Sequence, residues 1–454
     1  PRLRSRLADP EKVIPAGFYF PLESASSPHY QVVSILADEC IVFSSKTRAP
    51  YMILAEVLRS NMQCSHPSIP SAPEPSDQLA LSPHASDATS VSTLEGTEED
   101  GASSSTSSTV YRTLLEEHCA VANPELETLG AHPLKREFSG SENLRPVLKF
   151  GELVPDNDGL DEAIKRAVFR ETWKEKRDRY RQTSKYGHLP NYDVVSLVVK
   201  AGDDIRQEEL AMQLLRQFNR IFQSAKLPMW LCPYRIFVNA PGCGFIETVP
   251  NAVSIDHIKK SDPNFTSLNS FFEKLFGAGT PMLATAKRNF TESMAAYSVV
   301  TYLLQVKDRH NANLMLDTEG HIIHIDFGFM LSNSPGAINF ESAPFKLTEE
   351  LVEVMDGKDS DLFRYFRTLV VRGFEEVRKR YERIVSLVEM LLPGGDLPCF
   401  KGGADTVDEL RDRFNYAANE SDFEAWVEGL IDESLFNWRS RRYDDFQRFT
   451  NNIL

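Results

Sequence analysis

Two short polar segments in the last third of the chain, joined by apolar residues, restrict its fold more than any other feature. Residues 307–313 read Lys-Asp-Arg-His-Asn-Ala-Asn, and residues 324–328 read His-Ile-Asp-Phe-Gly. An apolar pair, an Asp-Thr-Glu-Gly turn at 317–320 and a short apolar run separate them, which predicts a β-hairpin. Because hairpin strands lie side by side, the polar segments at their outer ends are expected to meet.

The residue types in these two segments suit phosphoryl transfer. That reaction needs carboxylate and amide oxygens to hold magnesium on a triphosphate, and a group that accepts the proton of the attacking hydroxyl. Asn313 and Asp326 can supply the metal ligands, with Mn²⁺ as an alternative to Mg²⁺. Asp308 and His310 can supply the base and its orientation, and the sequence leaves open which of them is the base. Arg309 is expected to brace the loop.

A second motif lies upstream, where an apolar run ends at Lys200 and is followed by Ala-Gly-Asp-Asp-Ile-Arg-Gln-Glu-Glu. A lysine at the end of a strand can place its ammonium on the phosphate oxygens of ATP. It needs an acidic partner, for which Glu208 is the first candidate and Glu209 the second. The alternative is a solvated turn before a helix whose first residues are acidic. Beside the loop at 307–313, the nucleotide-binding interpretation is favoured.

The order of predicted elements indicates an α+β fold with two lobes. Short strands rich in aromatic and β-branched residues dominate up to about residue 250, and helical periodicity dominates after it. Single continuous helices are predicted over 160–181 and over 360–388. Residues 61–109 are rich in Ser, Pro and Thr and contain too little apolar surface to fold, so they are predicted to be disordered.

Composition excludes several classes of protein. A formal net charge of −15 argues against a nucleic-acid binder, because counterion release rewards basic surfaces. The 6 cysteines lack zinc-type spacing, which favours a reducing, cytoplasmic setting. No apolar run approaches the length of a membrane span, so any membrane contact is expected to be peripheral. The chain begins at Pro1, and it is expected to be a piece of a longer protein.

The motifs together resemble the phosphatidylinositol 3-/4-kinase family. The loop order Asp-Arg-His-Asn-x-Asn inverts the His-Arg-Asp order of protein kinases, and it accompanies Lys-x-Gly-Asp-Asp-Ile-Arg-Gln-Glu and His-Ile-Asp-Phe-Gly. Further stretches at 186–191, 251–255, 305–310, 343–347 and 443–447 resemble the beta form of the type III phosphatidylinositol 4-kinases. The resemblance runs from about residue 173 to residue 454 and is also present over 13–58. It implies a two-lobed, protein-kinase-like lipid kinase that uses ATP.

The resemblance also implies a domain organisation. We expect a linker from a missing upstream helical region at 1–16, a first part of the N-lobe with its phosphate loop at 17–60, and the disordered insert at 61–109. The rest of the N-lobe and the hinge are expected at 110–250, and the helical C-lobe with the catalytic and activation loops at 251–454.

Further nucleotide contacts follow from the same resemblance. Residues 43–50 resemble the loop of the family that covers the phosphates, with Ser44, Ser45 and Lys46 as its candidate contacts. Residues 247–250 fit the hinge, where Glu247 and the backbone of Val249 would meet adenine. The apolar slot for the adenine ring is expected to be lined by Tyr234, Ile246 and Ile325.

The segment from Asp326 to Leu347 is expected to recognise the lipid head group. It contains few charges, and Lys346 is its single basic residue, which suggests an inositol ring without extra phosphates and a lysine for the phosphodiester. Preference for the 4-hydroxyl over the 3-hydroxyl is implied only by the resemblance. The apolar residues of this segment either dip into the membrane interface or pack in the core: Phe329, Met330, Leu331, Ile338, Phe340 and Phe345.

The last stretch mixes aromatic and arginine residues, as in an amphipathic helix. Such a helix suits an anionic membrane surface, and docking onto the C-lobe is an equally good interpretation. The resemblance implies phosphatidylinositol as substrate, peripheral attachment to Golgi-type membranes, and small GTPases and Golgi adaptors as partners. The alternatives are a phosphoinositide 3-kinase, a protein kinase of the same superfamily, or a membrane-recruited scaffold with weak catalysis.

Overall fold

A computed structural model describes residues 29–43, 49–60, 161–202, 204–240, 242–262, 264–335, 343–394 and 396–454. The predicted α+β, two-lobed architecture is confirmed: a strand-rich lobe is followed by a helical lobe. The expected linker at 1–16, Ser44, Ser45 and Lys46 of the expected phosphate loop, and the insert at 61–109 lie outside the described residues.

The N-lobe is built on an antiparallel sheet. Its strands run in the order β1-β3-β4-β6-β5, and β2 pairs with the outer part of β3. The strands are β1 (His29–Ile35), β2 (Ile41–Val42), β3 (Tyr51–Ser60), β4 (Tyr192–Ala201), β5 (Ile236–Ala240) and β6 (Cys243–Glu247).

Strand β4 is buried along most of its length because both faces of the sheet are covered. Val195, Leu197 and Val199 pack on one face with residues of β1 and β3. Tyr192 and Val194 point to the other face, where the aromatic side chains of a neighbouring helix cover them. Alternate residues therefore serve two separate clusters, as the period of a strand requires.

Two breaks divide regions that were predicted to be continuous helices. The prediction over 160–181 was wrong, because the chain leaves the helix after Val168, takes a left-handed φ of 64° at Arg170 and restarts behind Thr172. There the Thr172 hydroxyl and the Glu175 carboxylate form a reciprocal capping box, a strong helix start. The prediction over 360–388 was also wrong, because a turn at residues 379–380 separates two helices.

The described residues form twelve α-helices. They are α1 (Glu162–Val168), α2 (Trp173–Thr183), α3 (Ile205–Ser224), α4 (Ile255–Ser261), α5 (Leu268–Phe276), α6 (Pro281–Leu303), α7 (Glu349–Val354), α8 (Asp361–Arg378), α9 (Tyr381–Leu391), α10 (Asp405–Arg413), α11 (Glu420–Ser434) and α12 (Trp438–Asn451). None of these helices combines the length and the apolar character that a membrane crossing requires.

Helix α6 supports the part of the C-lobe that carries the polar segments. A small antiparallel sheet of β7 (Ala252–Ser254), β8 (Leu314–Asp317) and β9 (Ile322–His324) lies against it. The hydroxyl of Ser293 accepts the N–H of Ile322 at 3.0 Å. At the hairpin turn, Gly320 has a φ of 90°, and a Cβ there would lie 2.7 Å from the carbonyl oxygen of Ala286. Glycine therefore lets the predicted hairpin sit directly on the helix.

Helix α3 connects the two lobes. Its apolar residues belong to the same buried cluster as α6 and α8 of the C-lobe. In addition, the side-chain amide of Gln207 donates to the carbonyl oxygen of Phe327 at 2.9 Å. The helix that follows Lys200 is thus fixed against the second polar segment, which brings the two predicted motifs to one cleft.

Candidate active site

The loop at 307–313 leaves α6 and enters β8, and its backbone is held by its own side chains. Arg309 donates to the carbonyl oxygens of Lys307 at 2.9 Å and Ile325 at 2.7 Å, and also to that of Asp326. Asn313 Nδ2 donates to the carbonyl oxygen of Asp308 at 2.9 Å. The guanidinium thus ties the two polar segments together, which is the geometry that bracing by Arg309 requires.

Asp308 lies at the cleft with a left-handed φ of 63°, and its side chain is 20% exposed. Its Oδ1 accepts a hydrogen bond from the Tyr443 hydroxyl and a longer one, of 3.4 Å, from Gln447 Nε2. Both partners belong to α12, and their contact with Asp308 was not predicted from the sequence. The sequence did contain a signal for a shared polar face: residues 443, 447 and 451 are polar and lie four residues apart in a predicted helix.

His310 stands next to Asp308, with 3.6 Å between its Nε2 and Oδ1 of the carboxylate. Burial lowers the pKa of His310 and outweighs the opposite effect of Asp308, so the imidazole is neutral near pH 7. Its Nδ1 has no hydrogen-bond partner within the described part of the chain. A neutral imidazole beside a carboxylate offers two adjacent proton acceptors, and the geometry does not separate the two candidates for the base.

Asp326 follows β9 and also has a left-handed φ, of 58°. Its side chain is 45% exposed to the cleft, and its Oδ1 accepts the N–H of Gly328 at 3.2 Å. A Cβ at Gly328 would lie 3.1 Å from that oxygen, so glycine keeps this turn open. Burial acts to raise the pKa of Asp326, but the charges of Lys200 and Arg309 outweigh it and hold the pKa below its ordinary value.

The residues expected to bind metal fit a hard divalent cation. The Ile325 N–H donates to the Asn313 carbonyl oxygen at 3.1 Å, which places Asn313 beside the strand that leads to Asp326. Nδ2 of Asn313 is engaged by the loop, and the oxygen of the same amide is the atom that can accept a cation. Carboxylate and amide oxygens are ligands of Mg²⁺ and Mn²⁺, whose other positions water and phosphate usually fill. No cluster of His, Cys, Asp and Glu of the kind that holds a metal by protein ligands alone occurs among the described residues.

Lys200 ends β4 and points to Glu208 at the start of α3. The two form an ion pair, and the Glu208 side chain is 3% exposed. The Lys200 ammonium also lies 3.7 Å from Oδ2 of Asp326. Burial opposes the charge of Lys200, but Glu208 and Asp326 outweigh it, so that the pKa of Lys200 is raised and the ammonium stays charged. Glu209, the second candidate partner, instead lies 3.6 Å from Arg216.

The segment after β6 lies between the lobes, where the hinge was expected. Val249, Ile246 and Ile325 are partly exposed and pack against the central cluster, whereas Tyr234 is buried beneath them. No described residue accepts a hydrogen bond from the Val249 N–H. The structure thus leaves Ile246 and Ile325, two of the three residues expected to line the adenine slot, partly exposed.

Glu247 turns its side chain away from this slot. Its Oε2 accepts hydrogen bonds from the backbone N–H of Arg235 at 3.0 Å and from the Arg235 guanidinium at 3.3 Å. Burial raises the pKa of Glu247 to about 7, against the lowering effect of Arg235. Only the backbone of Glu247 is therefore placed to meet a nucleotide.

Most of the described apolar residues that follow Asp326 are buried. Met330, Leu331 and Phe345 are buried in the central cluster, and Phe329 is half-buried. For Met330, Leu331 and Phe345 the membrane alternative is wrong and the core alternative is confirmed, since packing in the core already removes their apolar surface from water. Ile338 and Phe340 lie outside the described residues.

Lys346 is 7% exposed and faces α12. Its ammonium contacts Oδ1 of Asp444 at 2.7 Å and Oδ1 of Asn311 at 3.4 Å. It lines a small pocket with Lys307, Arg309 and Asp444. A role in holding a lipid phosphate therefore requires that the phosphate replace Asp444 as the partner of this lysine.

Helix α12 docks on the C-lobe with one face, as one of the two interpretations of the last stretch predicted. Tyr443 and Gln447 are buried against the catalytic loop, so one face docks on the C-lobe. The aromatic residues of the remaining surface stay exposed, up to 92% for Phe449, and they include Trp438 and Phe446. The chain after α12 returns to the lobe, where the Leu454 carbonyl oxygen accepts from Asn311 Nδ2 at 2.7 Å.

Comparisons with known proteins agree with the resemblance drawn from the motifs. A family model described as phosphatidylinositol 3- and 4-kinase matches residues 194–400. Phosphatidylinositol 4-kinase beta 1 of Arabidopsis thaliana is 49% identical over 349 residues, which are 76% of this chain and 30% of that protein. Phosphatidylinositol 4-kinase beta of Xenopus tropicalis is 36% identical over 483 residues, covering 100% of this chain and 58% of the relative. The phosphatidylinositol 4-kinase of Dictyostelium discoideum is 49% identical over 286 residues, covering 63% of this chain and 24% of the relative. The chain thus spans 58% or less of the length of these curated relatives.

Proposed function

Because this chain belongs to the phosphatidylinositol 3- and 4-kinase family, we propose that it is a lipid kinase that phosphorylates the 4-hydroxyl of phosphatidylinositol. The observation that carries the proposal is the contact of Lys200 with both Glu208 and Asp326. It joins a phosphate-binding lysine on the N-lobe to a metal-binding carboxylate on the C-lobe. The preference for position 4 is supported by relatives whose names state 4-kinases.

In the proposed reaction the oxygen of the inositol hydroxyl attacks the γ-phosphorus of ATP. A new P–O bond forms, the bond from that phosphorus to the β-phosphate oxygen breaks, and ADP leaves. The hydroxyl proton passes to Asp308 or to Nε2 of neutral His310. Lys200 holds phosphate oxygens with its charged ammonium, and we assign Ser44, Ser45 and Lys46 to the same task. The hinge backbone at Glu247 and Val249 meets adenine, with Tyr234, Ile246 and Ile325 lining the slot.

We assign Asp326 and Asn313 as the ligands of the Mg²⁺ or Mn²⁺ that accompanies ATP. Asp326 stays ionised because its pKa is below the ordinary value, so it presents a full negative charge to a cation. When bound, such an ion would neutralise negative charge on the phosphate groups of ATP. Arg309, which holds the carbonyl oxygen of Asp326, keeps this turn in place.

Lys346 is our candidate for the lipid phosphodiester. It lies in a pocket with the basic residues Lys307 and Arg309, so a phosphate there would meet positive charge. Asp444 holds Lys346 in the structure, and exchange of this partner for phosphate would be favoured by an anionic surface. The exposed Trp438 and Phe449 on α12 suit a peripheral contact with that surface.

Location and protein partners complete the proposal. The resemblance to the beta-form type III kinases supports a cytoplasmic enzyme that acts peripherally at Golgi-type membranes, with small GTPases and Golgi adaptors as partners. A phosphoinositide 3-kinase is the second candidate, and the names of the matched relatives favour the 4-kinase. A scaffold with weak catalysis is the third.

The test is lipid phosphorylation with labelled ATP and phosphatidylinositol vesicles. We expect a 4-phosphate product from the wild type and none from Asp326→Ala. The matched control is Asp396→Ala, an exposed aspartate on the C-lobe, which should retain the wild-type rate. A 3-phosphate product would move the chain to the second candidate. ATP binding without any phosphorylated lipid would favour the scaffold.

A further inference from the structure

A ladder of polar side chains runs along one face of α12 and ends at the catalytic loop. Asn451 Nδ2 donates to Oε1 of Gln447, and Gln447 Nε2 donates to the Tyr443 hydroxyl at 2.8 Å. The Tyr443 hydroxyl then donates to Oδ1 of Asp308. The three helix residues are four apart, so that they stack above one another on the same face of the helix.

The two ladder residues nearest Asp308 are buried, whereas Asn451 at the far end of the ladder is exposed. Tyr443 is 6% and Gln447 5% exposed, while Phe446 between them is 52% exposed. Burying a hydroxyl and an amide is unfavourable unless each finds hydrogen-bond partners. Here both groups are satisfied, and the direction of every bond is fixed: Asn451 orients the Gln447 amide, which leaves the tyrosine proton for Asp308.

Asp308 is a residue whose orientation needs support. Its φ of 63° lies in a region that non-glycine residues seldom occupy, and the loop holds its carbonyl oxygen through Asn313. The backbone bonds do not determine the rotation of the carboxylate. Tyr443 and Gln447 both reach the same oxygen, Oδ1, and thereby fix that rotation beside Nε2 of His310.

We propose that Tyr443 and Gln447 are positioning residues that hold the Asp308 carboxylate in the orientation needed to receive the proton from the substrate hydroxyl. This inference rests on the proposed function for its chemistry. It assigns a role to the Tyr-Asp-Asp-Phe-Gln stretch at 443–447 that the nucleotide and metal sites leave unexplained. It also makes the last helix part of the active site rather than only a surface for membranes.

The test is a graded series of variants along the ladder. Tyr443→Phe removes only the hydroxyl and should lower kcat about tenfold, since a small misplacement of a reacting group is costly. Gln447→Leu should have a smaller effect, and Asn451→Ala the smallest. The KM for ATP should not change in any of them. Tyr416→Phe, which makes the same chemical change on an exposed tyrosine, is the control and should match the wild type.

Three results of these turnover measurements would overturn the inference. An unchanged kcat for Tyr443→Phe would show that the contact is idle, and a raised kcat would show that it restrains Asp308 instead of positioning it. A kcat that falls only in proportion to lost folded protein would equally exclude positioning. The melting temperature checks this, since loss of one buried hydrogen bond in a chain of this size should lower it by only about 1–2 °C.

A second measurement separates this inference from the proposed function. The stabilities of Tyr443→Phe, Asp308→Asn and the double variant form a thermodynamic cycle that needs no turnover. Non-additive stabilities support the contact even if the wild type phosphorylates no lipid, in which case the proposed function alone fails. Additive stabilities would overturn the inference while leaving lipid phosphorylation by the wild type intact. Hydrolysis of ATP in water gives the same comparison of kcat without a lipid.

Discussion

Asp308 and Asp326 are two carboxylates in one cleft with the same unusual backbone, and their surroundings differ. Both have left-handed φ values, 63° and 58°. Asp326 is surrounded by positive charge from Lys200 and Arg309, which holds its pKa low. Asp308 is instead held by the uncharged donors Tyr443 and Gln447. One carboxylate is kept ionised by charge, and the other is oriented by hydrogen bonds.

The difference matches what each carboxylate is proposed to do. A metal ligand needs a permanent negative charge, and nearby cations secure it. A group that receives a proton needs the correct direction, and strong positive charge around it would weaken it as a base. Similar backbone geometry therefore supports two chemical roles, because different parts of the chain supply the partners. The N-lobe and the loop provide those of Asp326, and the last helix provides those of Asp308.

The largest expected effect is that of Asp326→Asn. Removing the charge should eliminate metal binding with ATP, so lipid phosphorylation should fall below detection. Titration calorimetry should show that ATP affinity no longer depends on magnesium. If this variant kept more activity than Asp308→Asn, the assignment of charge to one carboxylate and orientation to the other would be reversed.

Asp308→Asn is expected to be damaging but measurable. Loss of the group that accepts or directs the proton should cost about 10²–10⁴ in kcat. Magnesium-dependent ATP affinity should stay at the wild-type value, because Asp308 is not a proposed metal ligand. Calorimetry and turnover on the same preparation check both parts. A loss of metal-dependent affinity would merge the two roles into one.

Loss of a partner near Asp326 should reduce the free energy of unfolding more than loss of a partner of Asp308. Lys200→Met leaves the buried Glu208 carboxylate without its partner, which should cost roughly 3–5 kcal/mol of unfolding free energy. Tyr443→Phe removes an uncharged donor and should cost only about 1 kcal/mol. Urea unfolding measures both, and Lys200→Met combined with Glu208→Met should recover much of the loss. Equal losses of unfolding free energy in Lys200→Met and Tyr443→Phe would contradict the contrast between the charged and the uncharged site.

The dependence of kcat on pH at its acid end tests the role of His310, which lies beside Asp308. Since the pKa of His310 is below its ordinary value of 6.5, the imidazole stays neutral and kcat should be maintained at and somewhat below pH 6.5. The Asp308 charge favours the protonated imidazole, so Asp308→Asn should move the acid limb to still lower pH. An acid limb that stays in place in this variant would show that His310 does not control it.

Glu247→Gln should have the smallest effect on rate, because this side chain faces Arg235 and not the cleft. The pKa of Glu247 is raised from its model-peptide value of 4.5 to about 7, so the folded protein binds the proton more tightly. The resulting stabilisation is complete below pH 4.5 and is lost as pH rises through 7. In Glu247→Gln the urea midpoint should depend less on pH in this window. If the urea midpoint of this variant depended on pH as strongly as in the wild type, that pH dependence would belong to other ionisable groups.

The sequence predicts the parts of this site that lie close together in the chain. Asp308, His310 and Asn313 share one loop. The predicted hairpin pairs the strand after this loop with the strand before Asp326, which brings the loop close to Asp326. Lys200 and Glu208 are joined by a short turn between a strand and a helix. Local spacing and element type thus predict each motif, and the resemblance to the kinase family implies that the two motifs share one cleft.

Other features depended on contacts between distant segments. Tyr443 and Gln447 could be placed on one helix face, but the direction of that face depends on how α12 packs against the loop at 307–313. The burial of Met330 and Phe345 likewise follows from the cluster that they join, which apolar character alone does not reveal. The break between α1 and α2 had a readable signal in Thr172 and Glu175, yet the helical pattern on both sides concealed it.

The pairing of β3 with β4 has a consequence for how the protein reaches its folded state. Met52 pairs with Val198, so the sequence from residue 61 to residue 191 must be spanned before this pair of strands can close. The hairpin at the catalytic loop pairs Leu314 with His324, a far shorter separation. Local pairings form faster than distant ones, and the lobe that carries Lys200 is therefore expected to complete last. A shorter sequence between these strands should thus quicken folding, since their pairing would become more local.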